Sequence, residues 1–349
     1  MIEIVFCNYI YCNTLTLYKA IMGISRYSLI AVAVCALQPY ACFGKSITPK
    51  APASLQPGDT IAIISPASRP EEADVKAACE AMRRWGYVPV VGKHVLSKHG
   101  TFAGTIEERL SDLRWAFETP GIKAIVCGRG GYGCAQLLCE LPDGYFARHP
   151  KWLAGYSDIS ALHAALTNQG VMSIHSHMCE PIGREGGTDS LSLMLRSILE
   201  GRYPEYTVKA HKYNHLGTAR GTLVGGNLAV LNDIAASRYD IGNIDDAIIF
   251  LEDVDEGLEA LNRAMYRLKC AGVLDRVRGL ILGRFTNAKR NLDFDSPEDM
   301  FHEILKDYNI PICFGFPVGH VAENMPLVEG APVTLIITPD GTTLRYHIK

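Results

Sequence analysis

At 349 residues, with 48% hydrophobic and 20% charged side chains, the chain has the composition of a folded globular protein with more than one core. Its 32 glycines and 18 prolines are spread along the sequence, which excludes a disordered or low-complexity protein. With 34 basic against 37 acidic residues, a formal net charge of -3 and no long run of either sign, it offers no nucleic-acid-binding surface, and a small-molecule or peptide partner is expected.

Residues 1–48 form a leader whose only basic side chains are Lys19, Arg26 and Lys45 and whose only acidic one is Glu3. From Met22 a short polar start with Arg26 is followed by an apolar run, Tyr27 to Leu37, and then by small residues up to Gly44. That order predicts a secretory signal peptide cleaved near Gly44, with residues before Met22 an upstream start. The apolar core is about a dozen residues, short of the ~20 needed to span a bilayer, so no stable membrane span is expected after cleavage. The expected location is the periplasm or envelope, with the cytoplasm as the alternative. Four of the 11 cysteines lie in the leader; the remaining seven are an odd number without a CxxC, and most read as buried free thiols.

From Gly58 onward strands and helices alternate. Thr60–Ile64, Tyr87–Val91, Ile122–Cys127 and Trp152–Gly155 read as strands. Glu71–Trp85, Thr105–Glu118, Cys134–Glu140 and Ile159–Asn168 read as the helices between them. This predicts an α/β fold: an N-terminal parallel-sheet, Rossmann-like domain over 49–185. A linker region, 186–220, is expected next, polar and loop-like from Gly201 to Arg220. A second, mixed α+β domain over 221–349 follows. In it Gly225–Ala236 begins a helical run, Ala247–Glu252 and Val277–Leu282 are strands, Leu258–Cys270 is a helix, and Val333–Thr338 with Leu344–Ile348 forms a hairpin.

Ligand sites in α/β proteins gather at the carboxyl ends of strands, and three strands here end in polar residues. After Trp152–Gly155 comes Tyr156-Ser157-Asp158, where a serine on a sharp strand-to-helix turn is either an exposed nucleophile or an ordinary helix cap. After Ile122–Cys127 comes Gly128-Arg129-Gly130-Gly131-Tyr132-Gly133. This turn satisfies the dinucleotide fingerprint, although the acidic residue expected about 20 positions on is replaced by His149-Pro150-Lys151. Its alternative use is to bring backbone amides up to a substrate carbonyl. After Ala247–Leu251 come the carboxylates Glu252, Asp253, Asp255 and Glu256, which read as an acidic loop or an incomplete cation site. His320 stands alone behind Pro317-Val318-Gly319, and His175-Ser176-His177 has two-ligand spacing without a third ligand, so no metal is expected.

The order of these motifs, together with Pro57-Gly58-Asp59-Thr60 and Gly225-Gly226-Asn227-Leu228, resembles the L,D-carboxypeptidase family of serine peptidases, the muramoyl-tetrapeptide carboxypeptidases, over roughly Leu55 to Ile348. The resemblance implies Ser157 as nucleophile, His320 as general base and Glu252 as the carboxylate orienting it, meeting in a cleft between the domains without a cofactor. The backbone N–H groups of Gly131 and Asp158 are the expected oxyanion hole. Arg129 is a candidate for the substrate's terminal carboxylate or for a structural ion pair, Tyr132 is a candidate substrate contact, and Asn227 is either a helix cap or a substrate contact. The implied substrate is a peptidoglycan-derived tetrapeptide losing its terminal D-alanine. A related peptidase hydrolysing peptide-nucleotide antibiotics and a dinucleotide oxidoreductase using Gly128–Gly133 are the alternatives. A homodimer is implied by the resemblance alone.

Overall fold

A computed structural model describes residues 48–289 and 293–348. The segment expected to be a signal peptide, up to Gly44, therefore lies outside the described residues. Two sheets organise the rest. The first has six strands in the order β11-β5-β4-β3-β1-β2. Its parallel members are β1 (Thr60–Ile64), β2 (Val88–Val91), β3 (Ile122–Cys127), β4 (Trp152–Gly155) and β5 (Ser173–His175). β1, β3 and β4 are apolar almost throughout because helices cover both faces of a parallel sheet. The covering helix Ile106–Glu118 starts in a full capping box, Thr105 with Glu108.

The second sheet has seven strands in the order β10-β9-β8-β7-β12-β13-β6. β7 (Gly217–Asn227), β8 (Ala247–Val254), β9 (Gly279–Thr286) and β10 (Ile312–Phe314) run parallel, whereas β12 (Pro332–Thr338), β13 (Gly341–Tyr346) and β6 (Tyr206–Lys209) pair antiparallel. The two sheets share their core: Leu162, Val224 and Leu251 belong to one contiguous apolar cluster.

Three sequence expectations are corrected here. The stretch 201–220 is not a loop, because it holds β6 and the start of β7. Both are half-buried and alternate apolar with polar, as in buried Ala219 between exposed Thr218 and Arg220, so they lack the continuous apolar run of a central strand. Gly225 and Gly226 do not begin a helix but end β7, and the helix starts at Leu228. A Cβ on Gly225 would lie 1.9 Å from the Phe250 carbonyl oxygen, and one on Gly226 2.3 Å from Ser160 Oγ, so these glycines serve close backbone approach. The strand expected at Val277–Leu282 is Gly279–Thr286.

The C-terminal half also sends one strand back. β11 (Leu327–Glu329) pairs antiparallel with β5, Leu327 opposite His175, and closes the edge of the first sheet. Its Glu329 is fully buried and accepts the Gly225 N–H of β7 at 3.2 Å, joining the sheets; burial holds this carboxyl well above the usual carboxylate range.

Candidate active site

Ser157 leaves β4 in the left-handed region, at φ +66°, and opens a single turn of 3₁₀ helix, Ser157–Ile159. A non-glycine residue there is strained, and the surrounding packing must hold it. Two glycines make room for the turn. A Cβ on Gly155 would fall 3.0 Å from Ile159 and 3.1 Å from Cys127, and one on Gly130 2.9 Å from Ser157 Cβ. The glycine-rich turn after β3 therefore lies directly against the serine.

Glu252 is fully buried on β8, and its Oε2 meets His320 Nδ1 at 2.8 Å. Gly319 makes the approach feasible: its φ is +118°, and a Cβ there would sit 2.7 Å from both Cβ and Oε2 of Glu252. A carboxylate acceptor puts the imidazole proton on Nδ1 and leaves the Nε2 lone pair free to take another. Burial works to lower the His320 pKa, but the hydrogen bond and charge of Glu252, helped by Asp253 and Asp255, outweigh it and hold it above the ordinary imidazole value. Asp253 itself is pushed up to about 6 by burial, with the neighbouring Glu252 charge adding to that, against hydrogen bonds from Val254, Ala229 and Asn227.

The two halves of the site meet through Tyr156. Its ring lies 4.9 Å from the His320 ring and 5.8 Å from that of His175, which places the imidazole beside the residue preceding Ser157. Among the described residues no hydrogen bond joins Ser157 Oγ to His320. Nucleophile–base contacts are commonly loose before substrate binds.

The other candidates divide into buried and exposed. Asp158 is buried, and its carboxylate accepts the Cys134 N–H at 2.8 Å, tying the serine turn to the helix behind the glycine turn. The backbone N–H groups of Gly131 and Asp158 donate to no acceptor among the described residues. Gly131 lies over Ser68, whose Oγ would be 2.1 Å from a Cβ at that position. Arg129 is exposed and lines a cavity of about 360 Å³ together with Tyr156, Glu71, Asp74 and Glu180. Tyr132 is 60% exposed, with its ring 5.1 Å from Phe102. Asn227 is a cap: Oδ1 accepts the Val230 N–H at 3.1 Å and Nδ2 donates to Asp253 at 2.8 Å.

Sequence reasoning missed Arg109. Buried within the helix Ile106–Glu118, it donates to the carbonyls of Pro66 (2.7 Å) and Gly133 (3.1 Å) and to Gln136 (2.6 Å), bracing the glycine turn from behind. The available signal was a cation on the same helical face as Leu113 and Ala116. His175 is buried and bonded to Asn324. Among the described residues no three His, Cys, Asp or Glu side chains are grouped to hold a metal ion, and all seven cysteines are free thiols.

A strained serine, a buried carboxylate–imidazole pair and a glycine turn against that serine are the parts from which a serine-type hydrolytic enzyme is built. Residues 61–176 match the LD-carboxypeptidase N-terminal domain and residues 220–335 the LD-carboxypeptidase C-terminal domain; the chain belongs to this peptidase family. The murein tetrapeptide carboxypeptidase of Pseudomonas aeruginosa is 33% identical over 308 residues, covering 85% of this chain and 99% of that protein. The crystal structure of muramoyltetrapeptide carboxypeptidase from Oxalobacter formigenes superposes with a TM-score of 0.74 at 27% identity, over 82% of this chain and 98% of that one. The microcin C7 self immunity protein MccF, in complex with aspartyl sulfamoyl adenosine, shares the fold at a TM-score of 0.74 and 23% identity, over 86% of this chain and 100% of that one. Membership of a peptidase family displaces the oxidoreductase reading of Gly128–Gly133, whose turn instead packs on Ser68 and Ser157.

Proposed function

We propose that this protein is a serine L,D-carboxypeptidase that releases the terminal D-alanine of a murein tetrapeptide. The observation that carries the reading is the 2.8 Å bond between His320 Nδ1 and Glu252, formed beside the serine turn. His320 Nε2 takes the Ser157 proton as Oγ attacks the carbonyl of the scissile bond. The oxyanion forms facing the N–H groups of Gly131 and Asp158, each such donor contributing ~3 kcal/mol to the transition state. As the C–N bond breaks, the imidazolium returns its proton to the departing amine of D-alanine. Water, deprotonated by the same imidazole, then hydrolyses the acyl-enzyme and regenerates the serine hydroxyl. Arg129 is assigned to the substrate's terminal carboxylate, with Tyr132 at the rim of the site. The carboxylates of Glu71, Asp74 and Glu180 in the adjoining cavity suit the amino group of a diamino acid.

The signal-like leader supports action in the periplasm or envelope; no helix among the described residues is long and apolar enough to cross a membrane. The test is D-alanine release from the tetrapeptide by purified protein, wild type against Ser157→Ala, with a peptide-nucleotide offered in parallel. Turnover retained by the serine variant, or cleavage confined to the peptide-nucleotide, overturns the reading.

A further inference from the structure

We infer that Asn324 and His175 are positioning residues that set the imidazole of His320 against the serine turn, a role that rests on the reading above. The loop behind Gly319 is short and tightly closed: Val321 N–H donates to the Gly319 carbonyl (2.9 Å), Asn324 N–H to that of Val321 (3.3 Å) and Met325 N–H to that of Pro317 (2.9 Å). At its centre Asn324 is buried, and its Oδ1 receives the Gly319 N–H at 2.9 Å and His175 Nε2 at 3.2 Å. The first contact fixes the Val318–Gly319 peptide, one residue before His320. The second anchors it to β5, on the sheet that carries Ser157.

The chemistry of this bridge is determined by its fixed donor. A backbone N–H only donates, so the Asn324 atom facing it is the oxygen, and His175 Nε2 must carry a proton to share that oxygen. Asn324 Nδ2 and His175 Nδ1, the unused ends of both side chains, are buried without partners. Burying such ends costs free energy, so the site tolerates a penalty to keep one particular acceptor and one particular donor in place. The His175 ring also stands between Phe250, at 5.2 Å, and Tyr156, at 5.8 Å, and Tyr156 in turn packs on His320. Hence His175 holds the imidazole twice: through Asn324 to the backbone before it, and through Tyr156 to its ring. A buried pair serving only stability would not need to bond the backbone N–H of Gly319, the residue next to the proposed base.

The test uses pairs that keep or remove the operative atom. Asn324→Leu removes the acceptor and Asn324→Asp keeps one; His175→Leu removes the donor, whereas His175→Gln keeps a nitrogen donor at the Nε2 position. Expected are losses in kcat of about tenfold or more for the two leucine variants, with KM within about twofold, and recovery to within a few-fold in N324D and H175Q. The proton NMR resonance of the His320 Nδ1–H held by Glu252, assigned by its absence in His320→Gln, should be sharp in wild type and H175Q and broadened or lost in N324L and H175L. Should N324L fail to fold, the His175 pair carries the test. A folded N324L with wild-type kcat and resonance, or equal impairment of H175L and H175Q, overturns the inference. Because the resonance is read without substrate, it stands even if D-alanine release itself is not observed.

Discussion

The two segments that build the site are constructed in opposite ways. Ser157 is placed by its own neighbourhood: β4 ends at Gly155, the helix Ser160–Asn168 begins five residues later, and the strain at φ +66° is contained within a few residues. His320 is placed by distant residues, since Glu252 lies 68 positions away and Gly319, before it, is held by Asn324, which is shared with His175. A serine can be presented by a local strand–turn–helix, whereas an imidazole that must approach it from another sheet needs long-range tethers.

Alanine at either end tests the comparison most severely. Ser157→Ala and His320→Ala should each lower kcat by about 10⁴-fold or more, measured as D-alanine release, because a triad acts as a unit. Gly319→Ala separates placement from chemistry. Its Cβ would meet Glu252 at 2.7 Å and its φ disfavours any side chain, so it should cost about 1–3 kcal/mol in denaturant unfolding and uncouple His320 from Glu252, with a steep fall in kcat. A well-folded, active G319A would show that the loop tolerates a looser tether.

Glu252→Gln sharpens the contrast through pH. The base must be neutral to act, and its pKa is raised, so the acidic limb of kcat/KM in the wild type should lie above about 6.5, the ordinary imidazole value. Removing the Glu252 charge should move that limb to lower pH while reducing the maximum rate. The linkage has a matching sign: the stability the pair gives the folded state is complete below the unfolded imidazole pKa and is lost as pH rises through the higher folded one. The smallest effect belongs to Asn227→Ala, which deletes a helix cap and should cost about 1 kcal/mol in thermal or denaturant unfolding, with activity falling far less than in the triad variants.

Legibility in the sequence follows the same division. The parallel strands β1, β3 and β4, the helix Leu258–Cys270 and the turn at Ser157 are written in local patterns of apolar runs, periodicity and glycine, and they stand where the sequence puts them. Glu252 was visible as the end of an apolar strand, and His320 only through the order of motifs, because nothing near Gly319 in sequence announces a partner on β8. Illegible were β6 and β11, short strands whose pairing partners lie far away, and the glycines of β7, whose need arises from Phe250 and Ser160 across the packing. Arg109 and Asn324 share that cause, since each is explained by a backbone group that only the folded chain brings near.

The return of β11 to the first sheet has a consequence in time. During synthesis the outer edge of β5 has no strand to pair with until residues 327–329 leave the ribosome, and the imidazole arrives only shortly before them. The nascent chain thus carries Ser157 well before the imidazole proposed to activate it, and on that reading hydrolytic competence waits for both His320 and the return of β11.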